Sequence, residues 1–251
     1  MRRFSKITCL MLKVIDKVLT FSILSVMIIF IAYGIYTAFY DSGISNEAFL
    51  SEKTYKFSPE NTEGDNNASL SDLVKINEDV RGWLVVDGTN INYPVLQGTT
   101  DFEYLSTDVY GEFALSGSIF LSCANSYDFS DEYNLIYGHH MENGAMFGDL
   151  EKFFDEDFFN AHNTGRLYVM KDGSEVLYKI KFFNVLSTDA YDKYVFNTSS
   201  DIPISERMSY FMSQSSENSG SSDESGRIVS LVTCADSTTN GRTVLVGYIE
   251  E

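Results

Sequence analysis

The hydrophobic pattern begins with one uninterrupted apolar segment near the N-terminus. Residues 18–40 contain no charged side chain. At a rise of about 1.5 Å per residue, a helix of this length crosses a hydrocarbon core of roughly 30 Å. A secretory signal peptide would end in an Ala-x-Ala-like cleavage site, and no such site is found near Ala32 or Ala38. We therefore interpret the segment as a transmembrane signal-anchor that is not removed.

The charges that flank this segment predict its orientation. Five basic side chains and one acidic side chain lie within residues 1–17, and Asp41 follows the apolar segment. The positive-inside rule then predicts a cytoplasmic tail at residues 1–17 and a single pass through the cell membrane, with the rest of the chain extracellular. Residues 41–68 are rich in Gly, Ser, Asn and Glu and are interpreted as an extracellular tether. One folded domain is expected over residues 69–251.

Short apolar runs separated by turn residues predict strands within this domain. The predicted strands are residues 83–86, 91–96, 118–121, 134–137, 166–170, 176–185, 228–233 and 243–249. Helical spacing of apolar side chains predicts helices from Ser69 or Ser71 through Val80 and at residues 145–154, 155–162 and 202–213. In the last helix, Ser205, Glu206 and Arg207 are expected on the exposed face. The expected fold is mainly β with helices, built as a closed or half-closed β-barrel.

Net charge and cysteine content narrow the classes of function. The net charge is −18 although the N-terminal 40 residues are basic, so the extracellular part is strongly acidic. Such a surface excludes nucleic acid and an anionic bilayer surface as partners. Cys123 and Cys234 lie in this part, where an oxidising compartment permits a disulfide between them. A free Cys123 packed as a small buried thiol is the alternative.

The chemistry-bearing residues follow two apolar runs. Cys234 ends the run that starts at Ser230, and Arg242 lies eight residues later, at the start of the next predicted strand. A nearby cation stabilises a thiolate, and an arginine can donate to a developing oxyanion. The consecutive histidines His139 and His140 follow another predicted strand, and position alone does not choose between them as a proton shuttle. No His-x-x-x-His or Cys-x-x-Cys spacing is present, so neither a metal nor another cofactor is expected.

These motifs, taken in their order along the chain, resemble the signatures of sortases, which are membrane-anchored cysteine transpeptidases of Gram-positive bacteria. The signatures are Tyr-Gly-His-His at residues 137–140, Leu-Val-Thr-Cys at residues 231–234, and Arg242. Further segments resemble class B sortases in particular, namely residues 81–84, 91–98, 103–105, 117–120 and 146–150. The resemblance runs from about Leu70 to Ile249. It implies a sortase-like closed β-barrel with an N-terminal helix and a helical insertion before the last strands, near residues 187–212.

The resemblance also implies roles for individual residues. Cys234 matches the nucleophile, His139 the general acid/base, and Arg242 the residue that holds the substrate and stabilises the oxyanion. Asp236 matches an acidic residue of some class B members and is a secondary candidate. Three further residues are expected to line the peptide-binding site: Leu105, Tyr194 and Val195.

The function that the resemblance implies is transfer of a protein by way of a thioacyl enzyme. A secreted protein bearing a C-terminal sorting signal of the type Pro-x-Thr-Gly would be cleaved after Thr and joined to an amino group of peptidoglycan, of its precursor or of a stem peptide. Two alternatives remain open at the level of sequence. One is a Cys-His cell-wall hydrolase or protease, which has no need of Arg242. The other is a non-catalytic, membrane-tethered binding domain, in which Cys234 is unreactive.

Overall fold

The computed structural model describes residues 2–47, 49, 51–61, 68–199, 201–214, 226–234 and 241–250. The chain divides into two compact units, residues 1–44 and residues 45–251. Helix α1 spans Arg2–Glu47. Its apolar stretch Met11–Thr37 has a mean hydropathy of 2.4, and none of that stretch is buried within the protein. By length and composition it is consistent with a membrane anchor.

The second unit is a closed barrel of eight strands, which confirms the predicted closed β-barrel. The strands are β1 (Val80–Val86), β2 (Asn92–Leu96), β3 (Ile119–Leu121), β4 (Tyr133–Tyr137), β5 (Thr164–Lys171), β6 (Ser174–Asp189), β7 (Arg227–Cys234) and β8 (Gly241–Glu250). Their order around the barrel is β1-β2-β3-β4-β7-β8-β6-β5. The predicted β1–β2 hairpin is present, and β4 runs parallel to β7.

Short helices lie between the strands. They are α2 (Glu52–Tyr55), α3 (Leu70–Ile76), α4 (Glu156–His162), α5 (Lys193–Phe196) and α6 (Ile204–Ser213), with 3-10 helices at Glu103–Leu105 and Gly148–Phe154. The predicted helix through Val80 was wrong at its C-terminal end. Helix α3 ends at Ile76, because Val80 already pairs with Leu96 as the first residue of β1.

The predicted helix at residues 145–154 was wrong in type and in starting point. The segment is a 3-10 helix that begins only at Gly148. Gly144 and Met146 have φ angles of 80° and 51°, in the left-handed region that an α-helix does not use. At Gly148 a Cβ atom would lie 2.0 Å from the carbonyl oxygen of Met141. The close approach of these backbones excludes a regular helical start.

Three apolar clusters stabilise the barrel unit. The largest fills the barrel interior and includes Leu84, Ile136 and Leu245. A second packs α5 and α6 against β7 and β8, and a third packs α3 and Phe57 against Trp83. Phe57 is only 4% exposed, so part of the segment with a tether-like composition lies against the barrel.

Candidate active site

Three neighbouring strands bring the predicted catalytic positions to one edge of the barrel. In the parallel pair of β4 and β7, Tyr137 lies opposite Val232. His139 and Cys234 each follow these partners by two residues, so the two chains reach the same edge in matching register. Cys234 lies opposite Arg242 in the antiparallel pair of β7 and β8. His139 is therefore brought close to Cys234 and Arg242, although about a hundred positions of sequence separate it from them.

The backbone and the ring of His139 are both held in place. Gly138 donates its N–H to Val232 over 3.1 Å, and the carbonyl of His139 accepts from Phe147 over 2.9 Å. The ring Nε2 lies 2.7 Å from the carbonyl oxygen of Leu105. Because a carbonyl only accepts, Nε2 carries a proton in this contact. Leu105 thus orients the imidazole, which leaves Nδ1 as the nitrogen available for proton exchange when the ring is neutral.

His140 has different surroundings. Its Nδ1 lies 3.8 Å from a carboxylate oxygen of Glu151, and its side chain is 18% exposed. Its backbone forms an isolated β-bridge with Met146. His140 therefore packs toward the 3-10 helix that contains Glu151, whereas His139 contacts Leu105. The two histidines that position alone could not separate are distinguished by these contacts.

The guanidinium of Arg242 is half-buried and has few protein partners. Its Nη1 donates to the carbonyl of Gly241 over 2.8 Å. Within the described parts of the chain, no carboxylate lies at ion-pair distance from Arg242. Burial raises the pKa of the nearby Tyr137, and the positive charge of Arg242 acts against that rise. Among the described residues, the guanidinium of Arg242 therefore has donors that no carboxylate occupies.

Cys123 is a free and exposed thiol, which excludes the alternative of a Cys123–Cys234 disulfide, and the expectation that it would be a buried thiol was wrong. Its N–H donates to Asp101 over 2.6 Å in the turn after β3. Partial desolvation, followed by the hydrogen bond and negative charge of Asp101, raises the pKa of the Cys123 thiol. A raised pKa lowers the thiolate fraction at neutral pH, which makes Cys123 a poor nucleophile.

Comparison with known proteins identifies the family. A family model of the sortase domain matches residues 84–250. The chain belongs to the sortase family. Sortase B of Staphylococcus aureus is 31% identical over 184 residues, which are 70% of this chain and 72% of that protein. Sortase B of Listeria monocytogenes is 43% identical over 104 residues, and this alignment spans only 42% of the relative.

Solved structures agree with assignment of this sortase to class B. A Streptococcus pyogenes class B sortase involved in pilus biogenesis is 39% identical, has a TM-score of 0.63, and is matched over 71% of this chain and 96% of its own. A Staphylococcus aureus sortase B–substrate complex is 30% identical, has a TM-score of 0.66, and is matched over 72% and 84%. The chain is a class B sortase and a sortase-type cysteine transpeptidase.

The helical insertion of this sortase lies between β6 and β7 and consists of α5 and α6. Tyr194 on α5 stacks on Tyr210 of α6 with ring centroids 4.3 Å apart, and its hydroxyl donates to Glu206 over 2.9 Å. Val195 is fully buried, and its carbonyl accepts a hydrogen bond from the hydroxyl of Tyr133 over 2.8 Å. Tyr194 is partly exposed and presents surface, whereas Val195 has none in this structure.

Arg207 was expected to be exposed, and that expectation was wrong. The residue is 1% exposed and its guanidinium lies 3.9 Å from the centre of the Tyr133 ring. It donates to the carbonyls of Tyr194 and Asn197, which flank the end of α5. Burial lowers the pKa of Arg207. Helical periodicity could have predicted the burial of Arg207. The residue lies three positions after Ile204 and four before Phe211, and therefore on the same inward face of α6.

We expect Arg207→Met to destabilise the insertion. Two partly buried carbonyls would lose their donor, at about 1–3 kcal/mol for each. The free energy of unfolding should fall by roughly 2–6 kcal/mol, as measured by urea denaturation. The exposed Ser205 of the same helix is a matched control, and Ser205→Ala should be nearly neutral. Equal stability of the two variants would contradict the role of Arg207 as the link between α6 and α5.

Asp236 lies outside the described residues, and its role stays a prediction. Among the described residues, no group of three or more His, Cys, Asp or Glu side chains is arranged to hold a metal ion.

Proposed function

We propose that this sortase cleaves a C-terminal sorting signal of the type Pro-x-Thr-Gly after Thr and joins the acyl group to an amino group of peptidoglycan, of its precursor or of a stem peptide. The observation that carries this proposal is the register of β4, β7 and β8. This register brings the backbone positions of a candidate nucleophile, a candidate acid/base and a candidate oxyanion donor next to one another, which supports the proposal.

The first step of the proposed reaction forms the thioester. The thiolate of Cys234 attacks the carbonyl carbon of Thr, and Arg242 donates hydrogen bonds to the oxygen that becomes negatively charged. His139 in its protonated form donates a proton to the amine of the following residue. The C–N bond then breaks, the amine leaves as a neutral group, and His139 becomes neutral.

The second step transfers the acyl group. The incoming amine attacks the thioester carbonyl and loses a proton to the neutral His139. The C–S bond breaks and returns Cys234 as a thiolate, while an amide forms. Hydrolysis uses the same intermediate with water in place of the amine, so the outcome depends on which nucleophile is bound near His139.

Substrate binding is proposed at the groove between Leu105 and the insertion. Leu105 is 38% exposed and its carbonyl contacts His139, so a peptide against it lies beside the acid/base. Tyr194 offers partly exposed aromatic surface from α5. Val195 would act through the backbone by holding α5 in place, because its side chain is buried. The Staphylococcus aureus sortase B–substrate complex supports peptide binding in this fold.

We propose the cellular arrangement that the charge pattern predicts. Residues 1–17 form the cytoplasmic tail, residues 18–40 the transmembrane anchor, residues 41–68 the extracellular tether and residues 69–251 the catalytic domain. The apolar helix supports the anchor. Secreted proteins and lipid-linked acceptors would then meet the enzyme at the outer membrane face.

The test uses the full-length protein in detergent, a library of Pro-x-Thr-Gly-type peptides and an added amine. Intact-mass analysis records acyl adducts on Cys234 and amide products. A thioacyl adduct that the amine resolves supports the proposal and reveals the motif. Hydrolysis that ignores the amine would favour the hydrolase, and an unreactive Cys234 would favour the binding domain.

We expect Arg242→Lys to lose most activity. A lysine keeps the charge but replaces the planar fork of donors by a compact ammonium, so hydrogen bonds to the oxyanion and the peptide backbone are not reproduced. The expected loss in kcat/KM is about 100-fold or more, as found when one oxyanion donor is removed. Arg227→Lys serves as the control, because Arg227 lies at the end of β7 that is farther from Cys234. Near-normal turnover by Arg242→Lys would contradict the oxyanion role.

A further inference from the structure

A cavity of about 560 Å³ lies beside the proposed active site and has no part in the mechanism above. We call it the acidic pocket and define it by Asp108, Glu112, Phe113, Ser116, Gly117 and Met146, all of which line it. The segment between the first 3-10 helix and β3 forms most of these walls. Its volume accommodates a few peptide residues rather than a single ion.

Ser116 indicates that the acidic pocket binds a polar ligand. The residue is only 4% exposed and lines the cavity. Its hydroxyl makes no hydrogen bond with any described residue, in contrast to the nearby Ser118, which donates to the carbonyl of Thr107 over 2.7 Å. The hydroxyl is therefore available to a polar group that enters the cavity.

The charges of the pocket indicate that this ligand is cationic. Asp108 and Glu112 both line the cavity. Oδ1 of Asp108 accepts the backbone N–H groups of Tyr110 and Glu112, each over 2.8 Å, which leaves Oδ2 available. Among the described residues, neither carboxylate has an ion-pair partner. The nearby Lys53 instead places its ammonium over the Tyr110 ring. Phe113, 76% exposed, adds an apolar surface for the uncharged part of a ligand.

The acidic pocket shares a wall with the residues that position His139. A Cβ atom on Gly117 would lie 2.4 Å from the carbonyl oxygen of Leu105, the same oxygen that contacts the His139 ring. Met146 on another wall is bridged to His140, the residue after His139. A ligand in the pocket is therefore next to the loop and strand end that carry the acid/base.

We propose that the acidic pocket is the acceptor subsite, which binds the amine-bearing peptide that resolves the thioester. This inference rests on the proposed function. An amine acceptor is cationic at neutral pH and requires polar partners; it gives one proton to solvent before it attacks, and His139 accepts the second as the amide forms. The part of the sorting signal that follows Thr leaves on the same side and is the other source of a cationic peptide. The acceptor is favoured because it must be retained near His139 to compete with water, whereas the leaving peptide must depart.

The test separates these two sources in the full-length protein in detergent, with triglycinamide as the amine. The first readout is the rate at which the leaving peptide is released without amine. The second is the triglycinamide concentration at which amide formation reaches half of its maximum. For Glu112→Gln and Ser116→Ala we expect the half-saturating concentration to rise about fivefold or more, with the change confined to this amine-dependent step. Glu132→Gln, an exposed acidic residue before β4, is the matched control and should change neither readout.

Direct binding gives an independent readout. Triglycinamide binding to full-length Cys234→Ala is measured by ligand-observed nuclear magnetic resonance, with and without Glu112→Gln and Ser116→Ala. Weaker binding in the pocket variants supports the subsite. Unchanged binding overturns it, and so does slower leaving-peptide release with an unchanged amine dependence. Absence of any thioacyl adduct in the unaltered enzyme would refute the proposed function, while the binding measurement would still decide the pocket.

Discussion

Cys234→Ala is expected to abolish both peptide cleavage and amide formation. The sulfur of Cys234 is the atom that forms the thioester in the proposed reaction, and a methyl group cannot replace it. Removal of a catalytic nucleophile lowers kcat by about 10⁴-fold or more in enzymes that use a nucleophile and a base as a unit. Turnover of a fluorogenic sorting-signal peptide by the full-length protein measures the loss, and intact mass shows whether an adduct still forms.

Cys123→Ala is the matched control for this experiment. Cys123 is exposed and free, and its raised pKa lowers its thiolate fraction at neutral pH. Its replacement should change turnover by less than about twofold, as is usual for a surface substitution. A thiol-reactive label should also modify Cys234 faster than Cys123 at neutral pH. Loss of turnover in Cys123→Ala, with activity retained in Cys234→Ala, would show that the nucleophile is misassigned.

His139→Ala is expected to lower kcat/KM by about 10²–10⁴-fold, the usual contribution of a positioned general acid/base. Without the imidazole, the leaving amine departs without a proton and the incoming amine keeps its own. The rate of the first step should fall as well as that of the second. The rate of thioester formation in single-turnover experiments therefore measures the effect directly. Added imidazole should restore part of the activity if the lost group acted by proton transfer.

The neighbouring histidine provides the control. His140 contacts Glu151 rather than Leu105, so His140→Ala should keep activity within about threefold. Thermal unfolding of both variants separates catalysis from folding. A larger loss in His140→Ala than in His139→Ala, at equal stability, would reverse the assignment of the acid/base.

The strands could be predicted from sequence because their signal is local. A β-strand alternates its side chains between two faces, and the turn residues around each run mark its ends. The hairpin of β1 and β2 could be predicted in this way, because its two paired strands are neighbours in sequence. The predicted helix at residues 145–154 was wrong because its apolar spacing is helical, whereas the left-handed backbone at Met146 depends on the β-bridge with His140.

Arg207 shows a second limit of prediction from sequence. An arginine on a helix is normally exposed, since an unpaired buried charge is costly. Here carbonyls at the end of α5 and the face of the Tyr133 ring compensate for burial. Those partners come from two segments outside α6, so only the folded chain shows that the charge is accommodated. Ser116 is similar, because its burial without a partner depends on a cavity that no local pattern predicts.

The sequence by itself determined the long apolar segment and the β-rich class, and it predicted the residues that would carry acyl transfer. Each depends on composition or on the order of short motifs. Only the tertiary structure decided which histidine contacts Leu105, that Cys123 is free, and that the ends of β4 and β7 meet the start of β8. These facts depend on contacts between residues that are far apart in the chain. Such contacts are selected by the packing of the whole barrel, which local patterns do not encode.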